Sequence, residues 1–307
     1  NVEFHSILQP KLNPIDGSYI EIIDTALDLM EKKEYKGLVI GHEGANFSAG
    51  ANLNLLLELS QQKEWKALEY AVKKFQDLSQ KIRFCKKPIV AAPFQLTLGG
   101  GVEIVQPASH RVAAAETYMG LVEVGVGLIP GGGGNLRMIL NALDSGTGRM
   151  GAFQKIKNTF ETIGFAKIAR SADEAKHLGY LKNSDTIILN KNHQLNTAKN
   201  KVIELSNDYS APNYRDNLKL PGAGGRTALI MALKGFKMQG KISEHDLKIG
   251  KKLAYVLTGG EKAGLTKSID EQYLLDIERE AFLSLASEKL TQDRIIYMLK
   301  KGKPLRN

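Results

Sequence analysis

The stretch from Thr97 to Gly134 reads TLGGGVEIVQPASHRVAAAETYMGLVEVGVGLIPGGGG, and a glycine cluster stands near each of its ends. A glutamate accompanies each cluster: Glu103 follows the first, and Glu123 precedes the second. Glycine has no side chain to pack, so a run of glycines lets another group approach the main chain closely. The stretch therefore indicates a place where a ligand could reach backbone amides and two carboxylates.

Hydrophobic periodicity predicts an alternation of strands and helices around this stretch. Apolar residues at helical spacing predict amphipathic helices over residues 18–33 and 65–85. Short apolar runs predict buried strands over residues 35–44 and 87–94. Because strands that alternate with helices form parallel sheets with both faces covered, we predict an α/β fold with a mostly parallel, buried sheet.

Two polar, glycine-rich segments divide the rest of the chain. Residues 144–158 are typical of a loop or insertion, and residues 211–226 form the clearest linker. Beyond that linker the sequence pattern is helical to its end. We therefore predict two domains, a mixed α/β core over residues 1–205 and a helical C-terminal region over residues 206–307.

Composition and charge limit the classes of function. The chain has 307 residues, of which 43% are hydrophobic, so it can bury a large core. Its net charge is +9, but the lysines are dispersed and no aromatic residues interleave with them as on a nucleic-acid stacking surface. We expect no nucleic-acid partner, whereas a site for a small polyanion and a solvated basic surface both remain open.

The single cysteine and the N-terminal sequence bear on the location of the protein. Cys85 has no partner for an intrachain disulfide, which favours a reducing compartment, so we expect a cytoplasmic protein. The first residues are polar and interrupted by proline, unlike a signal peptide, and no apolar run reaches the roughly 20 residues of a membrane span. They also resemble the end of a strand, so we expect a piece of a longer polypeptide.

Nucleotide and metal sites fit the glycine clusters and the histidines poorly. The dinucleotide fingerprint needs a third glycine, which the first cluster lacks and which Leu136 replaces in the second. Neither cluster continues into the Lys-Ser or Lys-Thr pair of a phosphate-binding loop. The six histidines show no metal-ligand spacing, so we expect no metal site.

An oxyanion site suits the first cluster better. A glycine run that opens a helix leaves N–H groups without intrahelical partners, and such donors can stabilise charge that develops in a transition state. Residues 47–52, FSAGAN, form a second small-residue turn between a strand and a helix. Two such turns at neighbouring strand ends could hold one carbonyl oxygen, although each turn alone could equally be a tight connection.

The two glutamates point to acid–base chemistry. Glu103 and Glu123 are 20 residues apart, and two carboxylates near one water can divide the work, one accepting a proton while the other donates one. Apolar neighbours could tune their pKa values. The alternative is a glutamate that favours a helix start, together with an ordinary surface glutamate.

Three blocks of this sequence carry a family resemblance. FSAGANL, KPIVAAPFQLTLGGGVEI and LVEVGVGLIPGGGGNLRM, in this order and spacing, resemble the crotonase superfamily and within it the enoyl-CoA hydratases. The resemblance covers residues 1–205 well and the rest loosely. It implies a crotonase-like core, a spiral of ββα turns followed by a helical C-terminal region, and it implies an acyl-CoA thioester substrate.

The resemblance also implies roles for individual residues. By position, Ala51 and Gly100 would donate the two backbone N–H groups of an oxyanion hole. Glu103 would act on the water and Glu123 would protonate the α-carbon, so that water adds to a trans-2-enoyl-CoA of fatty-acid β-oxidation. Both glutamates together favour a hydratase; the alternatives are an isomerase that uses one glutamate and a non-catalytic module that docks a dehydrogenase.

Five further positions match coenzyme A contacts of the family more loosely: Ala49, Leu53, Lys11, Phe282 and Lys301. For these we keep the simpler interpretation beside the functional one. An aromatic residue on an amphipathic helix is usually part of the core, and lysines usually form a solvated face. Coenzyme A is part of the substrate, so the resemblance implies no separate cofactor for this chain.

The last residues extend the resemblance to larger proteins. Residues 278–307 resemble the end of multidomain bacterial 3-hydroxyacyl-CoA dehydrogenases that carry a hydratase-like region behind the dehydrogenase. This implies a covalently linked dehydrogenase region, which alone would use NAD, and a possible homo-oligomer. Departures such as Val122, where proline is common, indicate a divergent branch, and the acyl chain length stays open.

Overall fold

The computed structural model describes residues 3–5, 12–32, 34–146, 150–264 and 266–307. Contacts divide the chain into two units. The sheet unit comprises Asn1–Asn52, Lys74–Gly120 and Ile168–Asn213, and the helical unit comprises Leu53–Lys73, Leu121–Lys167 and Tyr214–Asn307. The predicted boundary between residues 205 and 206 would cut the chain only once, and it stays a prediction.

The strands all belong to the sheet unit. They are β1 (Glu3–His5), β2 (Leu38–Ile40), β3 (Ile89–Ala91), β4 (Gln95–Leu98), β5 (His110–Ala114), β6 (Thr117–Gly120) and β7 (Thr186–Ile188). Five form one parallel sheet in the order β1-β2-β3-β5-β7, and β4 pairs with β6 in a second parallel sheet. The predicted α/β fold with a parallel sheet is confirmed.

The helices occur in both units. They are α1 (Gly17–Lys32), α2 (Leu53–Gln61), α3 (Trp65–Arg83), α4 (Gly100–Val105), α5 (Gly134–Asp144), α6 (Ala152–Gly164), α7 (Ala172–His177), α8 (Gln194–Leu205), α9 (Gly222–Met238), α10 (Glu244–Leu257), α11 (Glu271–Ala286) and α12 (Lys289–Lys301). The unit boundary at residues 73 and 74 falls inside α3. Within the described ranges, no helix has both the length and the apolar character that crossing a bilayer requires.

Apolar side chains from three neighbouring strands and one helix form the core of the sheet unit. Val39 in β2, Val90 in β3 and Val112 in β5 are fully buried, and they pack with Ala198 and Val202 of α8. β-branched residues fit this setting because their stiff side chains pack well on a pleated sheet. Each valine buried in this way stabilises the fold by about 1.5–3 kcal/mol.

The two sheets arise from a repeat along the chain. β3 and β4 contribute one strand to each sheet, and after α4 the pair β5 and β6 does the same. The turn after β2 joins this pattern through Ser48, whose N–H donates to the Leu96 carbonyl and whose carbonyl accepts from the Leu98 N–H, both at 2.9 Å. This repeat places the FSAGAN turn beside the end of β4.

A buried ion pair fixes the end of α4. The guanidinium of Arg111 lies 2.8 Å from a carboxylate oxygen of Asp185, and both side chains are buried. The same guanidinium donates to the carbonyls of Gln106 and Ala108, which follow α4. Since removing one partner of a buried pair leaves a charge uncompensated, Arg111 is expected to be needed for the placement of α4.

Candidate functional site

The first glycine cluster connects β4 to α4. Gly99 has φ 51° and ψ −123°, a conformation that favours glycine, and it occupies the cap position before the helix. Its carbonyl accepts from the N–H groups of Val102 and Glu103. Gly100 is the first helical residue, and the geometry of an α-helix gives its N–H no partner within the helix.

The FSAGAN turn carries the second predicted donor. Ile15 pairs with Ala51 in a single parallel bridge, which uses the Gly50 carbonyl and the Asn52 N–H at 2.8 and 3.0 Å. In a parallel bridge the central residue takes no part in these two bonds. The N–H of Ala51 is therefore directed away from Ile15.

The two predicted donors lie close together in the sheet unit. A Cβ built on Gly100 would lie 3.4 Å from the amide nitrogen of Ala51, and one built on Gly50 would lie 3.6 Å from the amide nitrogen of Gly100. Ala51 is exposed whereas Gly100 is buried. The turns thus place two amides at one edge of the unit, as two donors to a single oxygen require.

Close packing between the two turns explains the third glycine of the first cluster. A Cβ on Gly101 would lie 2.9 Å from the Cβ of Ser48 and 3.1 Å from its carbonyl oxygen. The Ser48 hydroxyl in turn accepts from the Gly50 N–H at 3.1 Å. A side chain at position 101 would push the turns apart, so this glycine supports the approach of the two amides.

A buried histidine that the sequence analysis did not select holds the FSAGAN turn. Gly44 donates its N–H to Nδ1 of His42 at 3.0 Å, so Nε2 carries the proton and donates to the Phe47 carbonyl at 3.0 Å. Asn13 donates to the same carbonyl at 2.8 Å. Burial lowers the pKa of His42, which keeps the ring neutral in this role.

Glu103 lies in α4 of the sheet unit and is buried, with 3% of its surface exposed. It belongs to the first turn of the helix, three residues after Gly100. The contacts of Arg111 with the carbonyls that follow this helix hold it in place. A carboxylate is therefore fixed on the same short helix as one of the predicted amide donors.

Glu123 lies in the helical unit and opens a 3-10 turn, Glu123–Val126. Among the described residues, its Oε2 atom is buried without a hydrogen-bond partner, although the residue as a whole is half-buried. Burial is the largest cause that raises the pKa of Glu123, to about 7; backbone hydrogen bonds at Glu123 and Val122 lower it, and the charge of Glu278 raises it. Near neutral pH this side chain can hold a proton and release it.

The C-terminal helices support the turn that carries Glu123. The Thr291 hydroxyl of α12 donates to the Gly127 carbonyl at 2.9 Å, and Nε2 of His245 lies 2.9 Å from that hydroxyl. Gly127 has φ 88°, and a Cβ there would lie 2.8 Å from the Thr291 hydroxyl. Position 127 therefore requires glycine for both its backbone conformation and its neighbour.

A buried arginine adds a second support. Arg294 of α12 pairs with Asp246 at 2.8 Å, and its guanidinium lies 3.5 Å from the Val124 carbonyl. Asn307 accepts from Nε of the same guanidinium at 2.8 Å. The turn after Glu123 is thus held by residues more than 160 positions away in sequence.

The second glycine cluster differs from the first because a carboxylate already occupies its amides. Glu278 of α11 is buried and accepts from the N–H groups of Gly133 and Asn135, at 2.6 and 3.1 Å. Gly133 is the cap position of α5 and has φ 106°. This cluster therefore forms a closed helix start.

The positions matched to coenzyme A lie in different surroundings. Phe282 is buried, and a Cβ on Gly131 would lie 2.7 Å from its ring, so the ring packs in the interior of the helical unit. Lys301, the last residue of α12, is exposed. Of these two side chains, only Lys301 can reach solvent freely.

The other three such positions lie near the FSAGAN turn or outside the described residues. Ala49 is half-buried and donates its N–H to the Leu12 carbonyl at 2.9 Å. Leu53 is the first residue of α2. Lys11 lies outside the described residues, so its predicted role has no structural counterpart here.

A cavity of about 250 Å³ lies elsewhere in the sheet unit. Its lining includes Lys36, Lys86, Lys87 and Tyr209. Lys36 precedes β2, and Lys86 and Lys87 precede β3, so the cavity lies at the amino ends of these parallel strands. The FSAGAN turn follows the carboxyl end of β2, which separates this cavity from the predicted amide donors.

Comparison with protein families gives a match over most of the chain. A family described as enoyl-CoA hydratase/isomerase matches residues 8–213. The crystal structure of an enoyl-CoA hydratase from Bacillus halodurans superposes with a TM-score of 0.64 at 16% identity, covering 96% of this chain and 95% of that one. This likeness confirms the predicted crotonase-like fold with its helical C-terminal region.

Two of the sequence relatives are longer proteins than this chain. A Bacillus subtilis protein named "Probable 3-hydroxyacyl-CoA dehydrogenase" is 47% identical over 306 residues, 100% of this chain and 38% of the relative. A "Fatty acid oxidation complex subunit alpha" from Aliivibrio fischeri is 35% identical over 133 residues, 42% of this chain and 19% of the relative. The chain spans less than two fifths of either relative, consistent with the predicted likeness to a hydratase-like region of a multidomain protein.

Proposed function

Because the chain belongs to the enoyl-CoA hydratase/isomerase family, we propose that it adds water across the double bond of a trans-2-enoyl-CoA in fatty-acid β-oxidation. The approach of the Ala51 amide to Gly100 carries this proposal, since a Cβ on Gly100 would lie only 3.4 Å from that nitrogen. Two amides at one place suit the carbonyl oxygen of a thioester. The description of the matching family, enoyl-CoA hydratase/isomerase, supports the same class of reaction.

In the proposed reaction the thioester oxygen accepts hydrogen bonds from the amides of Ala51 and Gly100. These donors draw electron density from the conjugated double bond and prepare the β-carbon for attack. They also meet the negative charge that reaches the oxygen in the transition state. Losing one such donor costs roughly 10²–10³ in kcat in comparable sites.

The glutamates divide the proton transfers. Glu103 takes a proton from a water molecule while the water oxygen forms a bond to the β-carbon. The electron pair of the double bond moves toward the thioester carbonyl, and Glu123 in its protonated form delivers hydrogen to the α-carbon. The product is a 3-hydroxyacyl-CoA, and proton exchange with solvent restores both glutamates.

The environment of Glu123 supports its role as the acid. Burial and the charge of Glu278 raise its pKa to about 7, so a large fraction carries a proton at neutral pH. A carboxyl group with an ordinary pKa would be almost wholly ionised there. Burial favours the neutral form because a charge is poorly solvated in apolar surroundings.

The coenzyme A contacts remain proposals of unequal support. We keep Ala49, Leu53, Lys11 and Lys301 as candidates for binding the coenzyme. Phe282 is the weakest candidate, because its ring already packs against Gly131. A few cations suffice to hold a phosphate group, so Lys301 and Lys11 are the first positions to test.

An isomerase is the second candidate, because the matching family includes both activities. An isomerase would move a double bond by carrying one proton between two carbons, and a single glutamate is enough for that. The half-buried Glu123, whose Oε2 atom finds no hydrogen-bond partner among the residues that the structure describes, suits this role. The two reactions therefore differ in whether Glu103 is also required.

A hydration assay tests the proposal. The purified chain is mixed with crotonyl-CoA, and loss of the conjugated thioester absorbance is followed. We expect turnover by the wild type and a loss of roughly 10²–10⁴ in both Glu103→Gln and Glu123→Gln. Glu280→Gln, at an exposed position of α11, serves as the control and should keep full activity.

Other results would favour the alternatives. A folded wild type that does not hydrate crotonyl-CoA but shifts the double bond of a 3-enoyl-CoA, with only one of the two glutamates required, would point to the isomerase. A folded wild type that turns over neither substrate would leave the non-catalytic module.

We further propose that a linked dehydrogenase region oxidises the hydroxyl product with NAD in the longer protein. The name and length of the Bacillus subtilis relative support this proposal. A cytoplasmic location and a homo-oligomer stay predictions from the sequence.

A further inference from the structure

A buried imidazole, that of His42, lies against the turn that carries Ala51. His42 follows β2 and is 4% exposed. Its ring stacks on the ring of Phe47, with centroids 5.8 Å apart, and meets the ring of Phe94 edge-on at 5.1 Å. Both phenylalanines are fully buried. This packing fixes the plane of the imidazole, so each of its two nitrogens faces a defined partner.

Those partners determine which nitrogen of His42 carries the proton. The N–H of Gly44 donates to Nδ1 at 3.0 Å, so Nδ1 must offer a lone pair. The proton of the neutral ring therefore lies on Nε2, which donates to the Phe47 carbonyl at 3.0 Å. The opposite tautomer would turn two N–H groups toward each other at Nδ1 and two acceptors toward each other at Nε2. The surroundings thus select a single tautomer.

A side-chain amide completes the contacts of the Phe47 carbonyl. Nδ2 of Asn13 donates to this carbonyl at 2.8 Å and lies 3.1 Å from Nε2 of His42. The carbonyl oxygen has two lone pairs, one for each donor. Asn13 is 2% exposed and has φ 49°, a left-handed conformation that asparagine adopts more readily than most residues. A buried ring and a buried amide therefore meet at one backbone oxygen.

The residues on both sides of Asn13 reach the backbone around Ala51. The carbonyl of Leu12 accepts from the N–H of Ala49 at 2.9 Å, and Ile15 forms the parallel bridge with Ala51. The side chain of Asn13 lies between these two main-chain contacts in sequence. A shift of the carbonyl to which Asn13 donates would therefore be passed on to the Ala51 amide.

A lysine on the same aromatic cluster disfavours a charged ring. Nζ of Lys191 lies 3.6 Å from the centre of the Phe94 ring and donates to the Gly44 carbonyl at 3.0 Å. Burial is the largest cause that lowers the pKa of His42; its backbone hydrogen bond raises the pKa, and the charge of Lys191 lowers it. Glu43, whose charge acts on Lys191, is exposed. The ring is therefore neutral near pH 7, as its two contacts require.

We propose that His42 is a positioning residue for the amide of Ala51: with its proton on Nε2, it holds the Phe47 carbonyl and thereby the backbone of the FSAGAN turn. This inference rests on the proposed function, in which the Ala51 amide meets the thioester oxygen. Both ring nitrogens bind main-chain groups, so His42 acts through the backbone and touches no reacting atom. Donors of this kind work because they are held in place before the reaction, so a small displacement is costly.

The first test replaces the ring by side chains that keep or lose its hydrogen bonds. His42→Phe keeps an aromatic ring of similar shape and loses both bonds, whereas the terminal amide of His42→Gln can reach the position of Nε2 and donate to the Phe47 carbonyl. We expect kcat for crotonyl-CoA hydration to fall by roughly 10–10² in the phenylalanine variant, because a displacement of about 1 Å can cost that much. The glutamine variant should recover part of this loss.

The same change at an exposed histidine of the sheet unit, His177→Phe, is the matched control and should keep the wild-type kcat. Full kcat in His42→Phe would contradict the inference. A folded glutamine variant that is no more active than the phenylalanine variant would contradict it too, because the bond to the Phe47 carbonyl would then not matter.

Nuclear magnetic resonance tests the inference without turnover. Long-range ¹H–¹⁵N correlations of the wild-type imidazoles, with His42 assigned by its absence in His42→Gln, should show the Nε2–H form near neutral pH. The amide signal of Ala51, assigned by its loss in Ala51→Ser, should move in His42→Phe and stay in place in His177→Phe.

These signals separate the inference from the hydratase proposal. A proton on Nδ1 in the wild type overturns the inference even if no His42 variant folds. An Ala51 signal that does not move in folded His42→Phe overturns it whether or not the chain hydrates crotonyl-CoA. If both signals behave as expected and the wild type does not hydrate crotonyl-CoA, the positioning of Ala51 is supported and the proposed function alone is contradicted.

Discussion

The two glycine clusters have nearly the same composition and opposite surroundings. In the sheet unit, Gly100 begins α4 and lies close to another amide, that of Ala51. In the helical unit, Gly133 and Asn135 begin α5 and donate to the carboxylate of Glu278. The second cluster is satisfied from within the chain, whereas the first is the one that we propose to bind the substrate.

This difference teaches that a glycine run indicates accessible backbone but does not say what occupies it. The amides at a helix start must find an acceptor, and a side chain can supply one as well as a ligand. The acceptor of the second cluster lies 145 residues further along the chain. Only the fold reveals which cluster is closed.

The largest effect is expected beside the second glycine cluster, where a buried ion pair joins α5 to α11. Arg137→Met leaves Glu271 buried without this cation, 3.8 Å away in the wild type. We expect a loss of about 3–5 kcal/mol in the free energy of unfolding, measured with urea. Lys157→Met breaks an exposed pair with Glu161 at the same 3.8 Å and should cost at most about 1 kcal/mol.

If Arg137→Met is as stable as the wild type, the second glycine cluster does not rely on the Arg137–Glu271 pair. The two clusters would then differ only in the two hydrogen bonds that Glu278 accepts from Gly133 and Asn135.

The next effect is expected at the first glycine cluster, before α4, and concerns catalysis. Gly100→Pro removes one amide donor, and proline is tolerated at the first position of a helix, so the fold should be kept. We expect kcat for crotonyl-CoA hydration to fall by roughly 10²–10³, measured beside far-UV circular dichroism. Gly100→Ala keeps the N–H, and its Cβ would lie 3.4 Å from the Ala51 nitrogen, an ordinary contact, so it should lose much less activity.

Equal losses in the proline and alanine variants would show that space, and not the N–H donor, matters at this position. An unchanged kcat in Gly100→Pro would mean that the first glycine cluster is not part of the proposed site.

The smallest effect concerns packing at Gly131, in the second glycine cluster. Gly131→Ala would place a Cβ 2.7 Å from the ring of Phe282, so the ring must move. We expect the free energy of unfolding to fall by about 1–3 kcal/mol in urea, with part of it recovered by adding Phe282→Leu. A Cβ on Gly146 would meet nothing within 4 Å, so Gly146→Ala is the matched control.

A fully stable Gly131→Ala protein would mean that the ring has room to move. Phe282 would then regain support as a contact for coenzyme A.

Much of the fold was predictable from local pattern. The long amphipathic helix expected over residues 65–85 appears as α3, Trp65–Arg83, because its apolar residues keep helical spacing over five turns. The predicted strand over residues 87–94 contains β3. Strong periodicity and apolar runs bounded by breaking residues gave these elements without tertiary information.

Other elements were missed for physical reasons. β4 and β6 have four residues each, and their pairing depends on bonds to distant segments more than on their own apolar pattern. The prediction of a loop over residues 144–158 was wrong from Ala152 onward, where α6 begins. Likewise, α9 begins at Gly222, inside the expected linker. Three of its first four residues are glycine, which is a poor helix former, so tertiary contacts decide its start.

The candidate site shows the same division. Ala51 and Gly100 were selected through the family resemblance, and the two glutamates through their place beside the glycine clusters. The approach of the two amides agrees with that expectation, while the catalytic roles stay predictions. His42 and Glu278 gave no local signal, because a single histidine after a strand or a single glutamate in a helix is common. Their importance comes from contacts with segments that the sequence does not connect to them.

The support of the Glu123 turn by α12 extends to the residues that follow this helix. Asn307 binds Arg294, Arg294 reaches the Val124 carbonyl, and a Cβ on Gly125 would lie 3.7 Å from the ring of Pro304. Residues 304 and 307 therefore support the turn that carries the proposed acid. Substitutions at these positions are changes to the neighbourhood of Glu123, however remote they look in sequence.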